Sequence, residues 1–245
     1  MTMFITRRHA LIGALAMTAV RPALAESKPP VDVALVLSLD VSSSVVDARW
    51  ELQRGAYRDA FLDSDIIATL RSGPIGRIAV TVVEWSYCER RIQVVPWTVV
   101  SDQVSGANFA LALANMPKAF YGKTCVGGGL YESIQLLQSV PFEAMKKVID
   151  ISGDGLQNEH GRFAGGQSLE ASAVRDLAVA SGIVINGLPI LLPESDQYHY
   201  ANVGVEAFYR DHVITPNGFM VVVPNGNDAS AFSNALKRKL LMEVA

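Results

Sequence analysis

Residues 31–44 read Val31-Asp32-Val33-Ala34-Leu35-Val36-Leu37-Ser38-Leu39-Asp40-Val41-Ser42-Ser43-Ser44. The first nine are almost continuously apolar and rich in valine and leucine, which is the pattern of a β-strand covered on both faces. Such a strand belongs in the middle of a parallel sheet, so this segment predicts the central strand of an α/β domain. A carboxylate and three hydroxyls follow it at once.

The flanking sequence extends that prediction. Ser44–Phe61 carries Val46, Trp50, Tyr57 and Phe61 at helical spacing, and Ser44-Val45-Val46-Asp47 is expected to cap the helix. Ser72-Gly73-Pro74 breaks the chain before a second strand, Arg77–Trp85, and Arg91–Trp97 returns as a third, forming a hairpin with it. Helical patterns cover Asp102–Asn115 and Gly129–Leu137. Lys147–Ser152 predicts a fourth strand, Leu169–Ala180 a helix, Ile183–Ile190 a fifth strand, Phe219–Val223 a sixth and Ala229–Met242 a closing helix. Asp196–Val213, polar and aromatic, is expected to be an irregular excursion with one helix. Strands alternating with helices imply right-handed crossovers. The fold class expected for residues 31–245 is therefore α/β: a doubly wound, mainly parallel six-stranded sheet with one antiparallel edge strand, in a three-layer sandwich.

Composition narrows the function. With 245 residues, 50% hydrophobic and 18% charged, the chain can bury one full-sized core. At its start, Arg7 and Arg8 precede the uncharged run Ala10–Val20 and then Ala23-Leu24-Ala25, the layout of a cleavable export signal over residues 1–25. The run is too short to span a bilayer, which needs about 20 apolar residues. Thr6-Arg7-Arg8-His9-Ala10-Leu11 also resembles a twin-arginine signal. A periplasmic or secreted protein with no membrane span after cleavage is expected, residues 26–30 being a linker. Residues 1–25 hold three arginines and no acid, so the remainder carries 18 basic against 24 acidic residues. That balance argues against a nucleic-acid partner. The short basic clusters Lys146-Lys147 and Lys237-Arg238-Lys239 read as solvated element ends. Cys88 and Cys125 are either a pair formed in an oxidising compartment or two buried thiols.

Three segments carry chemistry: Asp40-Val41-Ser42-Ser43-Ser44 after the first strand, Gly122-Lys123-Thr124 before a helix, and Ser152-Gly153-Asp154-Gly155 after the fourth strand. Loops beyond the carboxyl ends of parallel strands line the crevice at the topological switch point, so the three can converge. Their donors are carboxylates and hydroxyls, which suit one divalent cation of the hard class, magnesium first, with manganese or calcium as alternatives. Neutral hydroxyls leave much of the ion's charge for an outside ligand.

This pattern resembles the von Willebrand factor A domain with its metal-ion-dependent adhesion site, D-x-S-x-S followed by a distant Thr and a distant Asp. Asp40, Ser42 and Ser44 match the first element, Thr124 the second and Asp154 the third. The resemblance implies Ser42, Ser44 and Thr124 as direct ligands, with Asp40 and Asp154 acting through water, and a protein partner whose carboxylate completes the coordination. RSGPIGRIAVTVVEW (71–85), VIDISGDG (148–155), VINGLPIL (184–191) and FSNALKRKLLMEVA (232–245) are similar to the exported bacterial domain-of-unknown-function family 1194. The threonine loop departs from the pattern: Lys123 stands where a small residue is expected, and Cys125 follows Thr124. Lys123, Gly155 and Glu159 are expected on the rim of the site. The predicted fold also brings Cys88 and Cys125 to that rim, where a bridge would pin the threonine loop.

Other chemistries lack their residues. Gly122-Lys123-Thr124 is not a phosphate-binding loop, because position 117 is Pro where a glycine is required. Gly127-Gly128-Gly129 lacks dinucleotide spacing and is better explained by close helix packing. No nucleophile elbow or histidine pair at metal-binding spacing occurs. A non-enzymatic, adhesion-type module is the leading expectation. Its alternatives are a metal-assisted hydrolase with Glu159 or His160 as base, and an exported structural domain with a vestigial site.

Overall fold

The computed structural model describes residues 27–162, 166–193 and 204–245. The expected export signal (1–25), the first residue of the linker, and residues 196–203 of the expected excursion lie outside the described residues. The sheet has five strands, β1 (Pro30–Asp40), β2 (Ile78–Trp85), β3 (Arg91–Val100), β4 (Glu143–Gly153) and β5 (Val184–Pro189). Their order is β3-β2-β1-β4-β5, with β1 at the centre and every residue of it beyond Pro30 buried. β1 runs parallel to β2 and β4, β4 parallel to β5, and β3 antiparallel on one edge.

Helices cover both faces. Val33, Leu35, Leu37 and Leu39 face α1 (Asp47–Ala60), α2 (Ser64–Arg71), α3 (Gln103–Asn115) and α7 (Ala229–Val244) in one core. Ala34 and Val36 face α4 (Val126–Gln138), α5 (Ala171–Ala180) and α6 (Val205–Phe208), which runs on into a π-helical turn, Tyr209–Val213. Alternation along one strand thus feeds two cores. The glycine triplet lets α4 lie close: a β-carbon on Gly129 would fall 2.5 Å from the Trp85 ring. Among the described residues no helix is long and apolar enough to cross a membrane.

The structure corrects four expectations. Phe219–Val223 is not a sixth strand, because its pairing with β5 is reduced to the bridges Gly187–Met220 and Ile190–Val223. These flank Pro189, which has no N–H to give where the ladder needs one. Between Phe61 and Ser72 the sequence reading has no element, whereas α2 forms there, started by the Asp63 carboxylate accepting from Asp65 N and Ile66 N. Ser44 caps nothing: α1 begins after Val46 with no side-chain cap. Lys239, read as solvated, is wholly buried, with Nζ 2.6 Å from Asp150 Oδ1 and 2.5 Å from Glu243 Oε1. Glu243 is also held by Asn186 Nδ2 at 3.0 Å.

Candidate metal site

The order of strands decides where a site can form. From β1 the chain first adds β2 and β3 on one side and then β4 and β5 on the other. The switch point therefore lies between the carboxyl ends of β1 and β4. Asp40 is the last residue of β1 and Asp154 follows the last of β4, whose register pairs Leu39 with Ser152. The α4 crossover, entering from the β3 side, starts just after Thr124.

A chain of contacts joins all five residues. Ser42 N donates to Asp40 Oδ1 at 2.8 Å. The hydroxyls of Ser42 and Ser44 are 3.1 Å apart, Thr124 Oγ1 donates to Ser42 Oγ at 3.2 Å, and Ser44 Oγ donates to Asp154 Oδ1 at 2.5 Å. Ser44 and Thr124 each stand next to a helix start, yet α4, like α1, has no side-chain cap. Their hydroxyls turn to the other loops instead.

Backbone bonds hold the loops in register without using those oxygens. Ser43 N donates to Gly122 O at 2.8 Å, and Gly122 N returns a bond to Ser43 Oγ at 3.0 Å. Asn158 brackets Thr124, accepting from its N–H at 2.8 Å and donating to its carbonyl at 2.9 Å. Cys125 N donates to Ser86 O at 2.9 Å, and Cys125 is joined to Cys88 by a disulfide. The bridge ties the turn between β2 and β3 to the threonine loop.

Electrostatically the site is unbalanced. Asp40, Ser42, Thr124 and Asp154 are all buried. Asp40 Oδ2 and Asp154 Oδ2 have no hydrogen-bond partner among the described residues. Burial, and then the negative charge of Asp154, push the Asp40 carboxyl up to about 7. Burial likewise raises Asp154, opposed by its bond from Ser44 and by Arg49. Arg49 offers partial compensation, its Nε 3.9 Å from Asp154 Oδ2 while its Nη2 donates to Ser44 O at 2.6 Å. Lys118 donates to Val45 O at 2.5 Å, and burial lowers it despite the carboxylates around it.

Two other buried carboxylates, Asp32 and Glu84, are filled. Asp32 takes N–H bonds from Ile75, Gly76 and Arg77. Glu84 takes Trp50 Nε1 at 3.0 Å and Ala119 N at 2.7 Å.

The expected rim divides. Gly155 is buried and Lys123 exposed beside Thr124. Glu159 turns toward the disulfide, one carboxylate oxygen accepting Cys88 N at 2.5 Å. His160, exposed, pairs with Glu170 at 2.5 Å. Glu159 also lies near both sulfurs, but disulfide sulfurs offer a metal no thiolate. Sequence reasoning missed Arg49, Lys118 and Asn158, and also Tyr209, a fully buried phenol whose hydroxyl lacks a hydrogen-bond partner among the described residues. Burial and the charges of Asp40, Asp154 and Asp150 push that phenol well above its ordinary 10.

A sequence profile described as "Protein of unknown function (DUF1194)" matches residues 30–245. The chain belongs to the DUF1194 family. None of the curated proteins matches it. Solved structures give this DUF1194 chain a von Willebrand factor A-like fold. The pilus adhesin SpaC from Lactobacillus rhamnosus GG, in its open conformation, superimposes with a TM-score of 0.58 at 14% identity, covering 88% of this chain and 31% of SpaC. The chain thus spans less than a third of that adhesin. The vWF domain of the type V pili tip protein Mfa5 from Porphyromonas gingivalis gives 0.54 at 12% identity, covering 90% of this chain and 98% of that one. Proximal thread matrix protein 1 from the mussel byssus, with a zinc-occupied MIDAS motif, gives 0.52 at 18% identity, covering 87% and 46%.

Proposed function

We propose that this DUF1194 chain is an exported, adhesion-type binding module in which Asp40, Ser42, Ser44, Thr124 and Asp154 hold one divalent cation, magnesium first, that captures a carboxylate of a protein partner. One observation carries the proposal. Two carboxylate oxygens, Asp40 Oδ2 and Asp154 Oδ2, are buried without a hydrogen bond among the described residues, beside three hydroxyls of which that of Ser42 lies within hydrogen-bond reach of the other two. Buried carboxylates are ordinarily paired or metal-coordinating, and this all-oxygen set fits a hard cation. When bound, the ion supplies a Lewis-acidic point for an oxygen ligand. The chain's own part is to present the three hydroxyls, balance the charge with the two carboxylates and keep the loops fixed. Exposed Lys123 adds positive charge at the rim and suits an acidic partner.

Two further facts support export and adhesion. The Cys88–Cys125 disulfide fits an oxidising compartment. Pilus adhesins and a byssal matrix protein share the fold. The export signal proposed for residues 1–25 predicts a mature chain beginning near Glu26, which intact mass of protein recovered from the envelope measures.

The test is a thermal-shift titration of chelator-treated protein with magnesium, manganese and calcium, wild type beside Asp40→Ala. At a free ion concentration about 100-fold above Kd the folded state gains about 2.7 kcal/mol. Wild type should shift and the variant should not. No shift in wild type with any of the ions sinks the metal site and leaves a structural domain. Partner capture from envelope extract that survives chelation rules out the metal-bridged contact.

A further inference from the structure

Tyr209 reaches the underside of the candidate metal site from an unexpected direction. It lies on the π-helical turn at the end of the excursion, and π-turns inside helices often sit at functional sites. Its ring crosses two strands where both lack a side chain. A β-carbon on Gly187 of β5 would fall 2.9 Å from Tyr209 Cδ1, and one on Gly153, at the end of β4, 2.6 Å from its hydroxyl oxygen. That same point beside Gly153 is 3.0 Å from Asp40 Oδ2. The phenol oxygen and the carboxylate oxygen therefore flank one spot, and neither has a hydrogen-bond partner among the described residues. Asp40's other oxygen is already committed to Ser42 N–H.

We infer that Tyr209 is a positioning residue for the cation site, donating its hydroxyl proton to Asp40 Oδ2 through one buried water. Such a water gives each of the two buried polar atoms the partner it lacks. The bond fixes the rotation of the Asp40 carboxylate, which in turn holds the Ser42 amide and with it the serine loop. Outer contacts of this kind typically set metal affinity over about 10–100-fold. Gly153 and Gly187 are thereby explained together: each clears the path of one ring.

The inference rests on the cation site proposed above, and the test separates the two. Manganese binding to chelator-treated protein is measured by calorimetry for wild type, Tyr209→Phe and Asp40→Ala, with urea unfolding of each metal-free protein alongside. Tyr209→Phe should bind manganese about 10–100-fold more weakly while its urea midpoint falls only as far as the loss of one buried hydrogen bond requires; a merely structural tyrosine would lower the midpoint and leave the affinity unchanged. Wild-type affinity in Tyr209→Phe, with binding lost in Asp40→Ala, overturns the role of Tyr209 and leaves the site standing. Unchanged affinity in Asp40→Ala overturns the site itself. Should Tyr209→Phe not fold, a crystal structure of the wild type decides: a water bonded to both oxygens supports the inference, and a phenol turned away from Asp40 overturns it.

Discussion

Asp40 should make the metal-free protein lose stability as pH rises, and a divalent cation should abolish that loss. Its carboxyl is raised from 3.8 to about 7 by burial and by the charge of Asp154. The folded chain thus binds this proton more tightly than the unfolded chain does. The stability contributed is full below 3.8 and disappears as pH climbs through about 7. At about 1.4 kcal/mol for each tenfold difference in proton affinity, the interval corresponds to about 4 kcal/mol. Glu243, pushed up to about 8 by burial and by Asp150, gives a slope of the same sign that persists to higher pH. The decisive quantity is therefore the difference between wild type and Asp40→Asn. Urea unfolding followed by tryptophan fluorescence, at steps from pH 4 to 9 with chelator, should show wild type losing about 4 kcal/mol more than the variant over that range. Saturating magnesium should flatten this part of the profile in wild type, because the cation takes the proton's place, and leave the variant unchanged. Equal slopes in the two chelated proteins would refute the reasoning, since the Asp40–Asp154 pair would then carry no buried charge penalty.

Reduction of the Cys88–Cys125 bridge, or Cys88→Ser with Cys125→Ser, releases a loop with sequence separation 37; by loop entropy it should cost about 4 kcal/mol. Urea midpoints with and without dithiol measure the loss, and a change below about 1 kcal/mol would count against the loop-entropy account. Lys239→Met leaves Asp150 and Glu243 buried together without their cation and should destabilise by about 3–5 kcal/mol. Thermal unfolding at pH 7 checks it, and replacing all three residues by apolar ones of similar volume should recover most of the loss. Asn158→Ala removes one of the two bonds bracketing Thr124 and should weaken manganese binding about tenfold, measured by calorimetry, without loss of secondary structure.

The centre of the fold was legible because β1 carries its instruction locally: a run buried on both faces, ending in Asp40. The hairpin of β2 and β3 and, α2 apart, the helices around the sheet announced themselves by periodicity and breakers. Phe219–Val223 misled because its apolar run carries a strand pattern, while the residue that breaks the ladder, Pro189, belongs to the partner strand. Ser44 misled for a similar reason. Its spacing suits a cap, but the carboxylate it bonds is Asp154, 110 residues away in sequence. Lys239 could not be told from its solvated neighbours Lys237 and Arg238 by composition, since its partner Asp150 lies on β4. In each case local chemistry was outweighed by a partner that only the folded chain supplies.

The same principle explains which part of the site a motif can state. The five oxygen-bearing residues form a pattern readable along the chain because each follows a strand or precedes a helix, and the parallel topology brings such ends to one rim. What holds them there has no such pattern. Ser43 and Gly122 exchange backbone and hydroxyl bonds, Asn158 brackets Thr124, and Cys88 bridges to Cys125. None of these bonds consumes a free oxygen of Asp40 or Asp154. Asp32, at the other end of the same strand, has its carboxylate taken up by three N–H groups. Loops fixed by these bonds around two crowded buried carboxylates suit the cation site proposed above, where a bound cation would offset the cost of that crowding.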